Sequence, residues 1–168
     1  LFLAPDGMLS PDGRFGRMKS GLPQIVERTV NGVILAPATI TYDFMTTGRM
    51  TVFGVFGRPL RVDASWPAAR LEAELRRTIL ALTTVTLGQL AARALQERAV
   101  SGAYEVEEHV LKAELQAAAQ QMARDGFEVD ERLLDPARFG RRWRRFLAYC
   151  EGKGLARREN GVFQFDSE

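Results

Sequence analysis

The residues best placed to do chemistry lie near the start of the chain. Asp6-Gly7 and Asp12-Gly13 sit in a loop, Pro5 to Gly16, that follows a short apolar strand, Leu1 to Ala4. Lys19-Ser20-Gly21 comes next. The loop at the C-terminal edge of a strand is where open α/β folds place ligands. Glycines let backbone N–H groups approach a phosphate, and Arg14 and Lys19 could neutralise it. The residues alone leave a second reading open, because Asp-Gly pairs also build plain surface turns. The single histidine, His109, has Glu114 five places on. That spacing imitates an acid–base pair, but both fall in an amphipathic helical stretch, and an ordinary helix residue is the expectation. Cys150 is the lone cysteine, so no internal disulfide can form. With one His and one Cys far apart, no metal-ligand cluster is expected.

Two kinds of element must position these residues. Up to about residue 64 the chain is rich in Gly, Pro, Thr and Val; beyond it Ala, Leu, Arg and Glu dominate with helical spacing. The expected fold is α/β over 1–64, followed by a mostly helical domain over 65–168 that ends in a β-hairpin. A short helix is expected over Ser20 to Thr29 and a turn at Asn31-Gly32. Val33 to Thr41 reads as one buried strand of a mostly parallel sheet. Met50 to Phe56 is a second strand, stopped by Gly57-Arg58-Pro59. Trp66-Pro67 opens a helix whose Leu71, Leu75, Ile79 and Leu82 form one stripe. Thr86 caps a helix over Leu87 to Ala99, and Glu105 to Arg124 forms the next, closed by Gly126. Asp135-Pro136 starts another, running to about Glu151. Glu159-Asn160-Gly161 turns the final hairpin.

The first 62 residues or so carry a resemblance. Ala4-Pro5-Asp6-Gly7-Met8-Leu9-Ser10, followed by Lys19-Ser20-Gly21, resembles the third conserved block of the glycerol-3-phosphate and lysophosphatidate acyltransferases. That block is commonly Phe-Pro-Glu-Gly-Thr-Arg-Ser with a later Lys-Ser-Gly. Val33-Ile34-Leu35-Ala36-Pro37-Ala38-Thr39-Ile40-Thr41-Tyr42-Asp43 is similar to the fourth block, and Gly57-Arg58-Pro59-Leu60 to the strand end after it. Residues 84–168 are more loosely similar to the helical tail of the glycerol-3-phosphate and dihydroxyacetone-phosphate branch. The resemblance implies a parent protein that moves a fatty acyl group from acyl-CoA or acyl-carrier protein onto the hydroxyl of a glycerol-phosphate-type acceptor. It implies no cofactor beyond the thioester. It assigns substrate contacts to Asp6, Gly7 and Ser10, and Arg14 or Lys19 stand in for the family's arginine, whose place Leu9 takes. The family's general base, in a His-x-x-x-x-Asp block, is expected upstream of Leu1, so no catalytic residue is assigned here and the fragment is expected to be inactive.

Charge narrows the partners. The chain has 168 residues, 23 basic and 21 acidic, so no global field points to nucleic acid. The basic residues are uneven, however: Arg138, Arg141, Arg142, Arg144 and Arg145 crowd one helix with Phe139, Trp143, Phe146 and Leu147 at core spacing. The arginines read as a solvated face, or as a surface for an anionic membrane. No apolar run is long enough to span a bilayer, so a cytoplasmic or peripheral, cytoplasmic-face location is expected. Two alternatives remain: a degenerate, regulatory acyltransferase-like protein, or a winged-helix-like module for nucleic acid or protein, suggested by helices followed by a hairpin.

Overall fold

The computed structural model describes residues 16–43, 45 and 50–165. Two compact units divide the chain, one from the residues up to 39 together with 54–83, the other from 40–53 and 84 onward.

The first unit starts with α1, Gly21–Arg28, whose Leu22 and Val26 point into the core. Asn31-Gly32 then reverses the chain. Gly32 has φ 74°, and a Cβ there would lie 2.7 Å from the Val62 carbonyl oxygen, so only glycine fits. Strand β1, Val33–Leu35, pairs antiparallel with β4, Leu60–Val62, placing Val33 opposite Val62. Helix α2, Ala68–Leu82, follows Pro67 and buries Leu71 and Leu75. Those two leucines, Met18, Leu22, Val26 and Val62 make one core, with Trp66 packed against it. The Arg70 guanidinium lies 4.1 Å from the centre of the Trp66 ring.

One expectation fails here. The run from Val33 to Thr41 is not a single buried strand of a mostly parallel sheet. Two strands form, β1 and β2 (Ala38–Asp43), separated by Ala36-Pro37. Proline has no N–H to donate to a ladder, so the strand breaks there. Strand β2 pairs with β3, Thr51–Phe56. Ile34 and Ile40 are largely exposed, so neither strand has both faces covered. The two-unit division runs through β2 and β3. The change of composition near Ser65 is not a packing boundary: α2 stays with the first unit.

The second unit is built from α3 (Leu87–Val100), β5 (Glu105–Glu107), α4 (Glu108–Arg124), a 3-10 turn (Glu131–Leu133), α5 (Pro136–Gly152), β6 (Ala156–Glu159) and β7 (Val162–Phe165). The three strands form one antiparallel sheet in the order β5-β7-β6. The expected helix from Glu105 therefore starts three residues late. Val106 pairs with Phe163 in the sheet, and the Glu108 N–H, the first of the helix, donates to Gly161 O at 2.8 Å. Long-range pairing outweighs the helical preference of two glutamates. The hairpin turn is as expected. Asn160 and Gly161 have φ 50° and 80°, the two left-handed positions of a two-residue hairpin.

The core of this unit joins Leu87, Leu90 and Ala94 of α3 to Leu111 and Leu115 of α4, to Phe139, Trp143, Phe146 and Leu147 of α5, and to Phe163 of β7. Two of its helix starts, those of α3 and α5, are fixed by side chains. The Thr86 hydroxyl accepts from the Gln89 N–H at 3.4 Å while the Gln89 side chain accepts from the Thr86 N–H at 2.9 Å, a complete capping box. Asp135 caps α5 by accepting from the Arg138 N–H at 2.7 Å, with Pro136 in the first turn. Replacing Thr86 with Ala removes the hydroxyl half of the first cap and leaves the backbone N–H bond to the Gln89 side chain in place. Urea denaturation of Thr86→Ala is expected to show a loss of about 1 kcal/mol; an unchanged midpoint would mean the cap contributes nothing.

Candidate functional site

Asp6, Gly7, Ser10 and Arg14 lie outside the described residues. Lys19 is described: it is exposed, two places before the first residue of α1. Ser20, at the cap position of that helix, makes no side-chain cap bond, and the first turn carries no acidic residue. The start of α1 thus presents its backbone N–H groups beside an exposed lysine.

His109 and Glu114 do not form a pair. The His109 ring is exposed on the first turn of α4, with Nδ1 3.2 Å from a Glu107 carboxylate oxygen. The Glu114 carboxylate is held by the Arg98 guanidinium of α3. Among the described residues no group of three or more His, Cys, Asp or Glu could hold a metal ion. Cys150 is buried, and burial pushes its thiol up to about 11, far from nucleophilic use near neutrality.

The densest chemistry among the described residues is a buried charge network in the second unit. Arg142 of α5 is only 4 % exposed and Asp43, the last residue of β2, 2 %. Their guanidinium and carboxylate are in direct contact. A second buried carboxylate, Asp130, lies 3.6 Å from the same guanidinium. Arg132 grips Asp130 from the other side with two bonds, 2.7 Å from Nε and 2.8 Å from Nη2. Asp130 also caps the 3-10 turn, accepting from the Arg132 N–H at 3.1 Å. A parallel bridge between distant segments fixes its position: Asp130 N–H donates to Val85 O at 3.0 Å, and Val85 N–H to Glu128 O at 2.8 Å. The Arg132 guanidinium also lies 5.4 Å from the Phe53 ring centre. Two aspartates thus answer two arginines.

Burial, first, and the Arg145 charge, second, push the Arg142 guanidinium below its usual value. It nonetheless stays charged, as arginine does in proteins. Asp130 is hydrogen-bonded by Arg132, whereas Asp43 and Arg142 face each other as a buried ion pair in which both Asp43 oxygens and Arg142 Nε and Nη2 make no hydrogen bond among the described residues, an arrangement that reads as a structural clamp. Composition did not announce it, but spacing could have. Arg142 falls three residues after Phe139 and four before Phe146, on the buried face of α5. The expectation of a wholly solvated arginine row is corrected there: Arg138, Arg141, Arg144 and Arg145 are exposed, and Arg142 is not.

A second, half-exposed network closes the other end of the unit. Trp143 Nε1 donates to Glu108 at 2.9 Å, and Arg158 reaches both Glu108 and Glu151 at 3.4 Å. It ties the start of α4 to α5 and β6.

No helix among the described residues is long and apolar enough to cross a membrane. No family model matches the chain, and no curated protein or solved structure matches it significantly.

Removing one partner of a buried ion pair strands the other charge. Arg142→Ala is therefore expected to cost about 3–5 kcal/mol in urea denaturation. Arg141→Ala and Arg144→Ala, on the exposed face, should stay within about 0.5 kcal/mol. Similar small losses at all three positions would show that Arg142 carries no structural charge pair.

Proposed function

We propose that the chain is the C-terminal part of an O-acyltransferase acting on a glycerol-phosphate-type acceptor, with acyl-CoA or acyl-carrier protein as donor. The sequence blocks around Pro5-Asp6-Gly7, Lys19-Ser20-Gly21, Val33 to Asp43 and Gly57 to Leu60 carry this reading. One structural observation supports it. Much of the described blocks falls in the first unit, although Ile40 to Asp43 belong to the second: Lys19-Ser20-Gly21 leads into α1, whose Leu22 and Val26 share a core with Val62, and Leu35 of β1 pairs with Leu60 of β4. Elements that share a core hold loops at their ends in fixed relation, which substrate positioning requires.

In this reading the backbone N–H groups of the phosphate-side loop and the charge of Arg14 or Lys19 hold the acceptor's phosphate. Asp6 and Gly7 shape the acceptor pocket. An upstream histidine removes the proton from the acceptor hydroxyl, which attacks the thioester carbonyl and releases the thiol. Leu9, where the family has an arginine, and Asp6, one methylene shorter than glutamate, favour a weaker or altered grip on the acceptor. Both also keep alive a degenerate, regulatory form.

A second reading is favoured by the topology of the second unit. Its order is helix, strand, helix, helix, strand, strand, with β5-β7-β6 as the sheet. That is the connectivity of a winged helix, with α5 in the place of the third helix. On this reading the second unit serves as a binding module, which is compatible with an acyltransferase unit before it.

The test is acyl transfer by the product of the complete reading frame, with glycerol 3-phosphate as acceptor. The expected result is a histidine-dependent activity whose acceptor KM rises at least about tenfold when Arg14 and Lys19 are both replaced by alanine, the scale of one lost charge-assisted contact. Activity with an unchanged KM removes these two residues from the site. No transfer, or no His-x-x-x-x-Asp block in that frame, contradicts the catalytic reading.

A further inference from the structure

We infer that the exposed arginine face of α5 is a docking surface for an anionic lipid bilayer. From residue 136 to 158 the chain carries eight basic residues and one acidic. Arg138, Arg141, Arg144 and Arg145 all reach solvent, and none has an ion-pair partner within 4 Å among the described residues. Several other arginines do find a carboxylate: Arg77, Arg93, Arg98 and Arg158 are each matched with a glutamate. Leaving four like charges unmatched within eight residues costs mutual repulsion, and an external array of anions offsets it.

The geometry calls for an array and not a single phosphate. Arg138, Arg141 and Arg145 follow i, i+3, i+7 spacing, a line about 10 Å long, with Arg144 beside it. The aromatic face of α5 is locked into the core through Phe139, Trp143 and Phe146. The arginines therefore stand on a packed helix, so binding orders their side chains but not their backbone.

Three observations favour a bilayer over a duplex. Besides its arginines, the exposed positions of α5 are Pro136, Ala137, Ala148, Glu151 and Gly152, with no Asn, Gln, Ser or Thr to read a base edge. Glu151 and Glu159, at the end of the helix and at the hairpin tip, would meet the phosphates of a groove. Leu134 and Leu155, at the two ends of α5, are 38 % and 47 % exposed. A lipid interface accepts such aliphatic side chains; a phosphate backbone does not. The inference rests on this face alone and does not require acyl transfer by the first unit.

The test is sedimentation of the chain with vesicles of phosphatidylcholine alone or with about one third phosphatidylglycerol, an anionic surface of the kind that attracts basic side chains. Binding is expected only to the anionic vesicles. It should be released near 1 M salt, where the screening length is about 3 Å. Arg138→Ala/Arg141→Ala/Arg145→Ala should weaken binding about a hundredfold, at roughly fivefold per arginine, while the corresponding triple lysine variant retains it. Arg93→Ala, on paired α3, is the control and should leave it unchanged. Thermal melts of each variant separate lost binding from lost folding. Equal binding to neutral vesicles, an unaffected alanine variant that melts normally, or tighter binding to a duplex oligonucleotide at equal phosphate concentration would overturn the inference.

Discussion

Arg142 sits on a helix face whose other buried members are Phe139, Trp143, Phe146, Leu147 and Cys150. Its charge must be answered from inside the unit. Two carboxylates do so, from places far apart in the chain: Asp43 at the end of β2 and Asp130 before the 3-10 turn. An isolated buried charge would cost several kcal/mol, so neither the strand end nor the turn can drift without exposing that cost. The position of α5 follows from the same constraint. The helix can therefore be long and strongly basic and still be part of a core.

That constraint separates the two faces of α5. Inward, one buried arginine is met by two carboxylates. Outward, four arginines stand without carboxylate partners among the described residues. The remaining charge of the unit is distributed in the opposite sense: over residues 105–135 nine acidic residues face three basic ones. Several of those acids are occupied. Glu108 holds Trp143 and Arg158, Glu114 holds Arg98, and Asp130 holds Arg132. A near-neutral chain can thus be strongly polarised, and net charge alone does not exclude an anionic partner.

Local chemistry made much of the fold legible. Thr86 and Asp135-Pro136 mark helix starts because a side-chain oxygen and a proline each answer an N–H that the first turn leaves bare. Asn160-Gly161 marks the hairpin because both positions need positive φ. The failures were long-range. Glu105 to Glu107 has helical composition and becomes a strand because β7 lies alongside it. Val33 to Thr41 reads as one buried strand, yet Pro37 interrupts its ladder and its partners leave one face open. Asp6, Gly7, Ser10 and Arg14 lie outside the described residues, and Lys19 stands two places before α1. The charge clamp was not read, because Asp43 and Asp130 acquire meaning only through their distance from Arg142, and nothing local in either segment sets that distance.

The most direct measurement of the clamp is a double-mutant cycle between Asp43→Asn and Arg142→Leu, followed by urea denaturation. A shared buried charge makes the double variant more stable than the sum of the single losses, by roughly 1–3 kcal/mol. Losses that add to within about 0.5 kcal/mol would contradict it, and would mean that Arg142 and Asp43 are buried side by side without either supporting the other.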